Sequence, residues 1–407
     1  MVSAVITPQF GSLKRGRSVR ILHVISSVDP ASGGPAEGLR QLAHIYGAGG
    51  HEVHVATLDS PEVIKKFNFP APVFGLGPGI GIYGYTPRAV PWLKKNMPSY
   101  DIVLLNCIWQ YNVLAAYRVL ANLNIPYGVF THGMLDPYFK REFPLKHIKK
   151  SIYWHFFLQP VLSHANAVLF TCEEEKILAR QSFGRYQVRE RVLNYGIFGP
   201  DLDAANAVKE FLGKWPKLRG KRIAITMGRV HPKKGVDILI EAFAQSLARY
   251  PDWELVIAGP DQVGQQEELQ ALAKRLGVAE RITWTGMISG ELKWGALNAS
   301  EVFVLPSHQE NFGIVVAEAL ACKLPVIISD KVNIWREIKD HNAGLICEDT
   351  VESTQVALNK WSGLSSAEID GMRSRSMECF NENFNYNIIA TRVLDVTESI
   401  VRQGRLR

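Results

Sequence analysis

A chain of 407 residues with 47% hydrophobic content has room for two ordinary globular domains, each with its own core. Its net charge of +7 is modest for this length, and the Lys and Arg residues are spread out apart from one cluster, which excludes bulk nucleic-acid binding. The five cysteines, Cys107, Cys172, Cys322, Cys347 and Cys379, are odd in number, far apart and free of Cys-x-x-Cys spacing, so they exclude a disulfide framework and a zinc site of that type. They read as core thiols in a reducing cytoplasm. Lys14, Arg15, Arg17 and Arg20 precede only a short apolar run, with no cleavage site and no span of about 20 apolar residues, so neither secretion nor membrane spanning is expected.

In chain order, residues 1–18 read as a polar tail, and the fold is expected to start at Val19. Arg20 to Ser26 is an apolar strand. It is followed by the Asp29-Pro30-Ala31-Ser32-Gly33-Gly34-Pro35 turn and a helix from Ala36 to Tyr46. Glycines let a backbone pass close to a ligand, and the N-terminus of a helix attracts negative charge. The runs Glu52–Thr57, Asp101–Asn106, Tyr127–Phe130 and Ala167–Thr171, with helical material between them, fit a doubly wound parallel sheet. Tyr127–Phe130 delivers Thr131-His132-Gly133-Met134-Leu135-Asp136-Pro137 beyond the carboxyl end of a strand, where open α/β sheets bind ligands. His132 there is either a satisfied polar residue or part of a site.

The one basic cluster, Lys140, Arg141, Lys146, His147, Lys149 and Lys150, runs into Tyr153, Trp154, Phe156 and Phe157. Two readings stay open. A helix lying on an anionic lipid surface uses this pattern, and so does a core helix with its aromatic side buried and its lysines solvated. A polar stretch with Gly and Pro from Gly199 to Gly220 reads as the domain linker.

The second domain opens with a strand, Arg222–Thr226, then Gly228-Arg229-Val230-His231-Pro232-Lys233-Lys234-Gly235 and a helix from Val236 to Tyr250. Arg229 and Lys234 thus bring two cations to the end of a strand, where open α/β sheets bind ligands. Further strands are expected at Glu254–Gly259, Ile282–Thr285 (leading to Gly286-Met287), Val302–Leu305 and Val326–Ser329. Between the last two, Glu310 lies in a polar turn, Gly313 permits close backbone approach, and Ile314 to Cys322 is helical. The turn N–H groups at Asn311, Phe312 and Gly313 suit anionic or hydroxyl-rich ligands. Glu318 follows Glu310 by eight residues, roughly 80° past two full helical turns, so both carboxylates can approach one ligand. Phe384 to Val401 reads as an amphipathic final helix.

The Glu310-x7-Glu318 stretch, with Phe312-Gly313, Ala317-Glu318-Ala319-Leu320 and Leu324-Pro325-Val326-Ile327, resembles the donor-site motif of the retaining glycosyltransferases of family 4. The Gly228-Arg229 and Lys234-Gly235 pairs and the His132-Gly133-Met134-Leu135-Asp136-Pro137 string carry the same resemblance, as does Asn194-Tyr195-Gly196, which in that family closes the first domain. The resemblance covers roughly residues 19 to 400. It implies the GT-B fold: two Rossmann-like α/β domains facing across a cleft, at 19–199 and 221–383, with a C-terminal helix from 384 returning to the first. It implies retention of configuration, a nucleotide diphosphate sugar (UDP- or GDP-linked) as donor substrate, and neither a cofactor nor a metal ion.

By position in that family, Arg229 and Lys234 stabilise the leaving diphosphate, Glu310 holds sugar hydroxyls, Glu318 accepts from the ribose, and His132 orients the transferred sugar. Gly33 and Gly34 face the diphosphate, Met287 flanks the base through its backbone, and Asn311, Phe312, Gly313 and Ile314 line the donor. The implied acceptor is a glycan or a lipid-linked molecule of cell-surface polysaccharide biosynthesis, at a cytoplasmic site that includes the inner face of the membrane. The loop Lys331-Val332-Asn333-Ile334-Trp335-Arg336 departs from the glycine-containing loop often found in the family, which leaves its contacts open. A sugar-nucleotide epimerase of the same fold and a non-catalytic subunit of a polysaccharide assembly complex are the alternatives.

Overall fold

The computed structural model describes residues 17–405, so the expected tail, apart from Arg17 and Ser18, lies outside the described residues. Strands β1 (Arg20–Ile25), β2 (Glu52–Thr57), β3 (Val73–Gly75), β4 (Ile102–Asn106), β5 (Tyr127–Phe130), β6 (Ala167–Phe170) and β7 (Glu190–Val192) form one sheet. Their order is β3-β2-β1-β4-β5-β6-β7, with every pairing parallel. Strands β8 (Arg222–Met227), β9 (Trp253–Ala258), β10 (Ile282–Gly286), β11 (Val302–Leu305), β12 (Val326–Ser329) and β13 (Gly344–Cys347) form a second, in the order β10-β9-β8-β11-β12-β13, also wholly parallel.

Parallel strands are joined by crossovers and covered on both faces, so their sequences are continuous apolar runs. Ile102-Val103-Leu104-Leu105 in β4 and Val302-Phe303-Val304-Leu305 in β11 are such runs, and both are fully buried. The expected doubly wound α/β architecture is borne out in both sheets. The strands that the sequence left unassigned, β3, β7 and β13, are edge strands. They are three or four residues long and only partly buried, so they carry no uninterrupted apolar signal.

Two compact units result. Of the described residues, one comprises 17–171, Glu175–Tyr195 and 389–405; the other comprises Cys172–Glu174 and Gly196–Ile388. The final helix, Tyr386–Arg405, therefore lies mostly in the first unit, where the Tyr46 and Thr397 hydroxyls are 2.9 Å apart and buried. The stretch read as linker differs from that reading. Asp203 caps a helix over Ala204–Lys214 by accepting from the N–H groups of Ala205 and Asn206, and this helix buries Ala207 and Phe211 within the second unit. Its neighbour, the helix Gly290–Ala299, approaches so closely that a Cβ on Gly295 would come within 2.1 Å of the Ala207 carbonyl oxygen. The helix expected to reach Tyr250 ends at Gln245. Ser246 leaves helical geometry and donates to the Ala242 carbonyl at 2.5 Å, and a short 3-10 turn, Leu247–Arg249, follows.

The basic and aromatic segment divides between the two readings left open. Trp154 is buried and Tyr153 half-buried, whereas Phe156 and Phe157 are exposed along with Leu145, Ile148 and Ile152. All five cysteines are free, four of them buried.

Candidate active site

In open parallel sheets, ligands collect beyond the carboxyl ends of the strands where the strand order reverses. That point lies between β8 and β11 in the second unit and between β1 and β4 in the first. Gly33 and Gly34 follow β1, and Arg229, Lys234 and Glu310 follow β8 and β11, at these two places; His132 follows β5, one strand beyond β4, and Met287 follows the edge strand β10.

In the second unit, β8 runs out into Gly228, whose φ is 146°, and Arg229. His231 then caps a 3-10 turn over Pro232–Lys234, its Nδ1 accepting from the Lys233 N–H at 3.1 Å. Gly235 follows at φ 63°, and a Cβ there would come within 2.2 Å of the Pro306 carbonyl oxygen. The turn after β8 is thereby pressed onto the loop after β11, and the Lys233 carbonyl accepts from both the Ser307 hydroxyl at 2.7 Å and the His308 N–H at 2.8 Å. This long-range clasp brings Lys234 to Glu310. The ammonium and carboxylate form an ion pair, with both side chains mostly buried. Lys233, in contrast, turns to the Gln309 side-chain oxygen at 3.1 Å. Arg229 is exposed and donates to the Gln262 side chain at 2.8 Å.

Glu310 is held from behind by the loop whose contacts the sequence left open. Its N–H donates to the Lys331 carbonyl, and its own carbonyl accepts from the Asn333 N–H, each at 3.0 Å. Val332 and Ile334 are buried beneath this bridge. Gly313 at φ 74° turns the chain into the helix Ile314–Ala321; the Cβ of any other residue there would crowd Val316 and Val332 at 3.2 Å. The Phe312 ring is core, edge-on to Phe384 with centroids 5.6 Å apart, so that residue offers a ligand only its backbone. Glu318 lies on the same helix and pairs with Lys293 at 2.7 Å. Met287 follows the turn at Gly286 (φ 64°) and is 76% exposed.

In the first unit, β5 delivers His132 at φ 49°, a conformation that costs an L-residue about 1–3 kcal/mol and persists only where its surroundings impose it. The imposing group is Glu175, which sequence reasoning missed. One of its oxygens accepts from the Thr131 hydroxyl and the Gly133 N–H, both at 2.6 Å; the other accepts from the Thr171 N–H and hydroxyl at 2.7 and 2.6 Å. The His132 ring lies nearly parallel to those of Phe130 and Tyr195, with centroids 5.5 and 6.2 Å away. Its Nδ1 lies 2.5 Å from the Tyr195 hydroxyl and its Nε2 3.2 Å from Asn106 Oδ1.

The Asn106 amide nitrogen lies 3.2 Å from His23 Nδ1, so Asn106 Oδ1 is the acceptor toward His132. His132 then carries its proton on Nε2, and Nδ1 accepts from Tyr195. Burial pushes the pKa of His132 down to about 3, so the ring is neutral, and both nitrogens are engaged within the unit. Tyr195 reaches His132 only because residue 38 is glycine; a Cβ there would lie 2.5 Å from the tyrosine ring. Gly33 (φ 85°) and Gly34, at the start of the helix Gly34–Ala48, border open space.

Two wholly parallel α/β sheets in two compact units are the architecture of the GT-B glycosyltransferases. The chain belongs to the family 4 type within it: residues 208–365 match the family described as Glycosyl transferases group 1, and residues 33–196 match the Glycosyl transferase 4-like domain. It is 29% identical over 205 residues to a D-inositol 3-phosphate glycosyltransferase of Rhodococcus opacus, with 48% of this chain and 43% of that protein matched. It is 27% identical over 212 residues to a phosphatidyl-myo-inositol mannosyltransferase of Mycobacterium tuberculosis, with 51% of this chain and 54% of that protein matched. The matched stretches thus span about half the length of these relatives. Among solved structures, Anabaena HepE in complex with UDP and glucose has the same fold, with a TM-score of 0.73 and 18% identity over 94% of this chain and all of that one.

Proposed function

We propose that the protein is a retaining, metal-independent glycosyltransferase that moves a hexose-type sugar from a nucleotide diphosphate sugar to a glycan or lipid-linked acceptor in cell-surface polysaccharide biosynthesis. The observation that carries this reading is the Lys234–Glu310 pair beside the exposed Arg229 at the end of β8. As the bond from the anomeric carbon to the diphosphate oxygen breaks, the leaving group takes the electron pair. Lys234 and Arg229 offset that charge, a task that preorganised cations perform well in a partly dehydrated site. The acceptor hydroxyl oxygen bonds to the anomeric carbon on the same face, and its proton passes to the departing diphosphate oxygen.

Glu310 is assigned to the sugar hydroxyls, Glu318 to the ribose, His132 to the transferred sugar, and Gly33, Gly34, Met287 and the 311–314 backbone to the rest of the donor. A UDP-linked donor is supported by the UDP bound to HepE, and a lipid-linked acceptor by the lipid named for the mycobacterial mannosyltransferase. The test is to melt the protein with UDP, GDP, ADP and TDP and their common sugar conjugates, then incubate the stabilising donor with glycan and lipid-linked acceptors and read the product anomer by NMR. Stabilisation by one base, followed by a product of the donor's own configuration, is expected. Inversion, or interconversion of the donor in the absence of any acceptor, would overturn the reading.

A further inference from the structure

The helix Pro144–Tyr153 has no buried residue, although four of its ten residues are apolar side chains of Leu, Ile or Tyr. Leu145, Ile148 and Ile152 recur at helical spacing on one face, exposed by 77%, 57% and 57%, and Phe156 continues the stripe at 65%. Solvated positions of this kind are ordinarily polar, and a contiguous exposed apolar strip marks a contact surface. The strip is anchored at its far end. Trp154 is buried, stacks on Phe183 with centroids 4.8 Å apart, and donates its ring N–H to the Gly184 carbonyl at 2.9 Å.

A second apolar element joins it. Ile80 and Tyr85 close a tight turn through reciprocal backbone hydrogen bonds of 2.7 and 3.2 Å, and the turn carries Ile82 at its tip, 97% exposed. Tyr83 in this turn meets Tyr153 hydroxyl to hydroxyl at 2.9 Å, which fixes the turn beside the helix. The same segment carries Lys140, Arg141, Lys146 and Lys149, all exposed, and Lys150, whose ammonium lies over the Trp109 ring, against the single carboxylate of Glu142 across residues 138–157.

We propose that this face, residues 143–157 with the Ile80–Tyr85 turn, docks on an anionic phospholipid bilayer. The charge argues for that occupant. A second copy of the chain, related by a twofold axis, would set this cation cluster against itself, whereas an anionic headgroup layer neutralises it. An amphipathic helix in this setting buries its apolar face about 5–10 Å into the headgroup and acyl boundary, with lysine stems reaching back to the phosphates. No helix among the described residues is long and apolar enough to cross a membrane, so contact by these helices is with the surface. That docking delivers the protein to a lipid-linked acceptor rests on the proposed transferase reading; docking itself is measured without donor or acceptor.

The experiment is sedimentation of the full chain with vesicles of phosphatidylcholine alone and with about one third phosphatidylglycerol, at low and high salt. The protein is expected to pellet with the anionic vesicles only, and less so at high salt. Ile82→Ser with Ile148→Ser and Phe156→Ser should lower binding at least ~10-fold. Lys146→Glu with Lys149→Glu should lower it by more than ~10-fold, given an effect of roughly fivefold for each cation lost. These side chains are exposed, so melting temperature and nucleotide-induced stabilisation should stay as in the parent. Failure to pellet with anionic vesicles, or pelleting that neither set of changes reduces, would overturn the proposal. A dimer in solution lost on Ile148→Ser, without vesicle binding, would assign the face to a second copy instead.

Discussion

The two strand-end sites of this molecule are built in opposite ways. At the end of β5, His132 is buried, strained and saturated: Tyr195 and Asn106 occupy its ring nitrogens, and Glu175 fixes the backbone on either side of it. At the end of β8, Lys234 is bound to one carboxylate, and Arg229 reaches into solvent. The first arrangement is a rigid surface, since any rotation of the histidine leaves buried groups unpaired. The second is a single ion pair in a more open setting. On the proposed function, a donor diphosphate would take the place of Glu310 at Lys234, and the displaced carboxylate would be free to accept sugar hydroxyls. Rigid positioning and ligand exchange are thus assigned to different sheets.

Removing the exchangeable cation should have the largest effect. Lys234→Ala is expected to lower kcat by on the order of 10²–10³-fold, as for loss of a group that stabilises developing charge, with a smaller change in donor affinity. Initial rates over a range of donor concentrations separate the two. A loss of donor affinity with kcat unchanged would contradict the role assigned to Lys234.

The rigid site should respond in stability as well as rate. Glu175→Gln keeps the shape but turns an N–H2 group toward donors, at a cost of about 2–5 kcal/mol for buried groups left unpaired. A domain of this size should then melt roughly 5–15 °C lower. An unchanged melting temperature would show that the four hydrogen bonds do not hold the His132 turn.

What the sequence reveals follows the same division. Apolar runs marked the central strands, because burial on both faces demands such runs. The Gly228-Arg229 and Lys234-Gly235 spacing marked the cations, because a turn after a strand is a local feature. Glu175 was not legible: its partners Thr131 and Gly133 lie over 40 residues away, and nothing in Glu173-Glu174-Glu175 says which carboxylate turns inward. Tyr195 as the partner of His132, with Gly38 beneath it, and Lys293 as the partner of Glu318 were hidden for the same reason. The helix at Ala204–Lys214 had a readable cap in Asp203, but Gly199, Pro200, Gly213, Pro216 and Gly220 gave its neighbourhood the look of a linker.

Smaller effects sharpen the contrast further. Glu318→Gln should weaken nucleoside diphosphate binding by about 10-fold while leaving kcat at saturating donor within a few-fold, as expected for a contact made equally in ground and transition states. Isothermal titration beside steady-state rates checks this, and a fall in kcat as large as that of Lys234→Ala would remove the distinction between the two residues.

Acid should attack the rigid site. Burial lowers the pKa of His132 from 6.5 to about 3; His23 is also lowered to about 3, by burial and by the nearby His132. Between those values the unfolded chain binds protons that the folded chain refuses, so stability is lost as pH falls from 6.5 toward 3. Each histidine contributes up to about 1.4 kcal/mol per pH unit. Denaturant midpoints measured from pH 7 to 5 should fall more steeply in the parent than in His23→Gln; parallel curves would contradict neutral burial of His23.

The most direct test of ligand exchange at Lys234 is the affinity of Glu310→Gln for the nucleoside diphosphate that stabilises the parent, measured without sugar. If the diphosphate competes with Glu310 for the lysine, neutralising the carboxylate should tighten binding by roughly fivefold, about 1 kcal/mol, while turnover of the sugar conjugate collapses. Weaker binding in Glu310→Gln would mean that the carboxylate supports the nucleotide and that the lysine is not shared, and the account of the second site would be wrong.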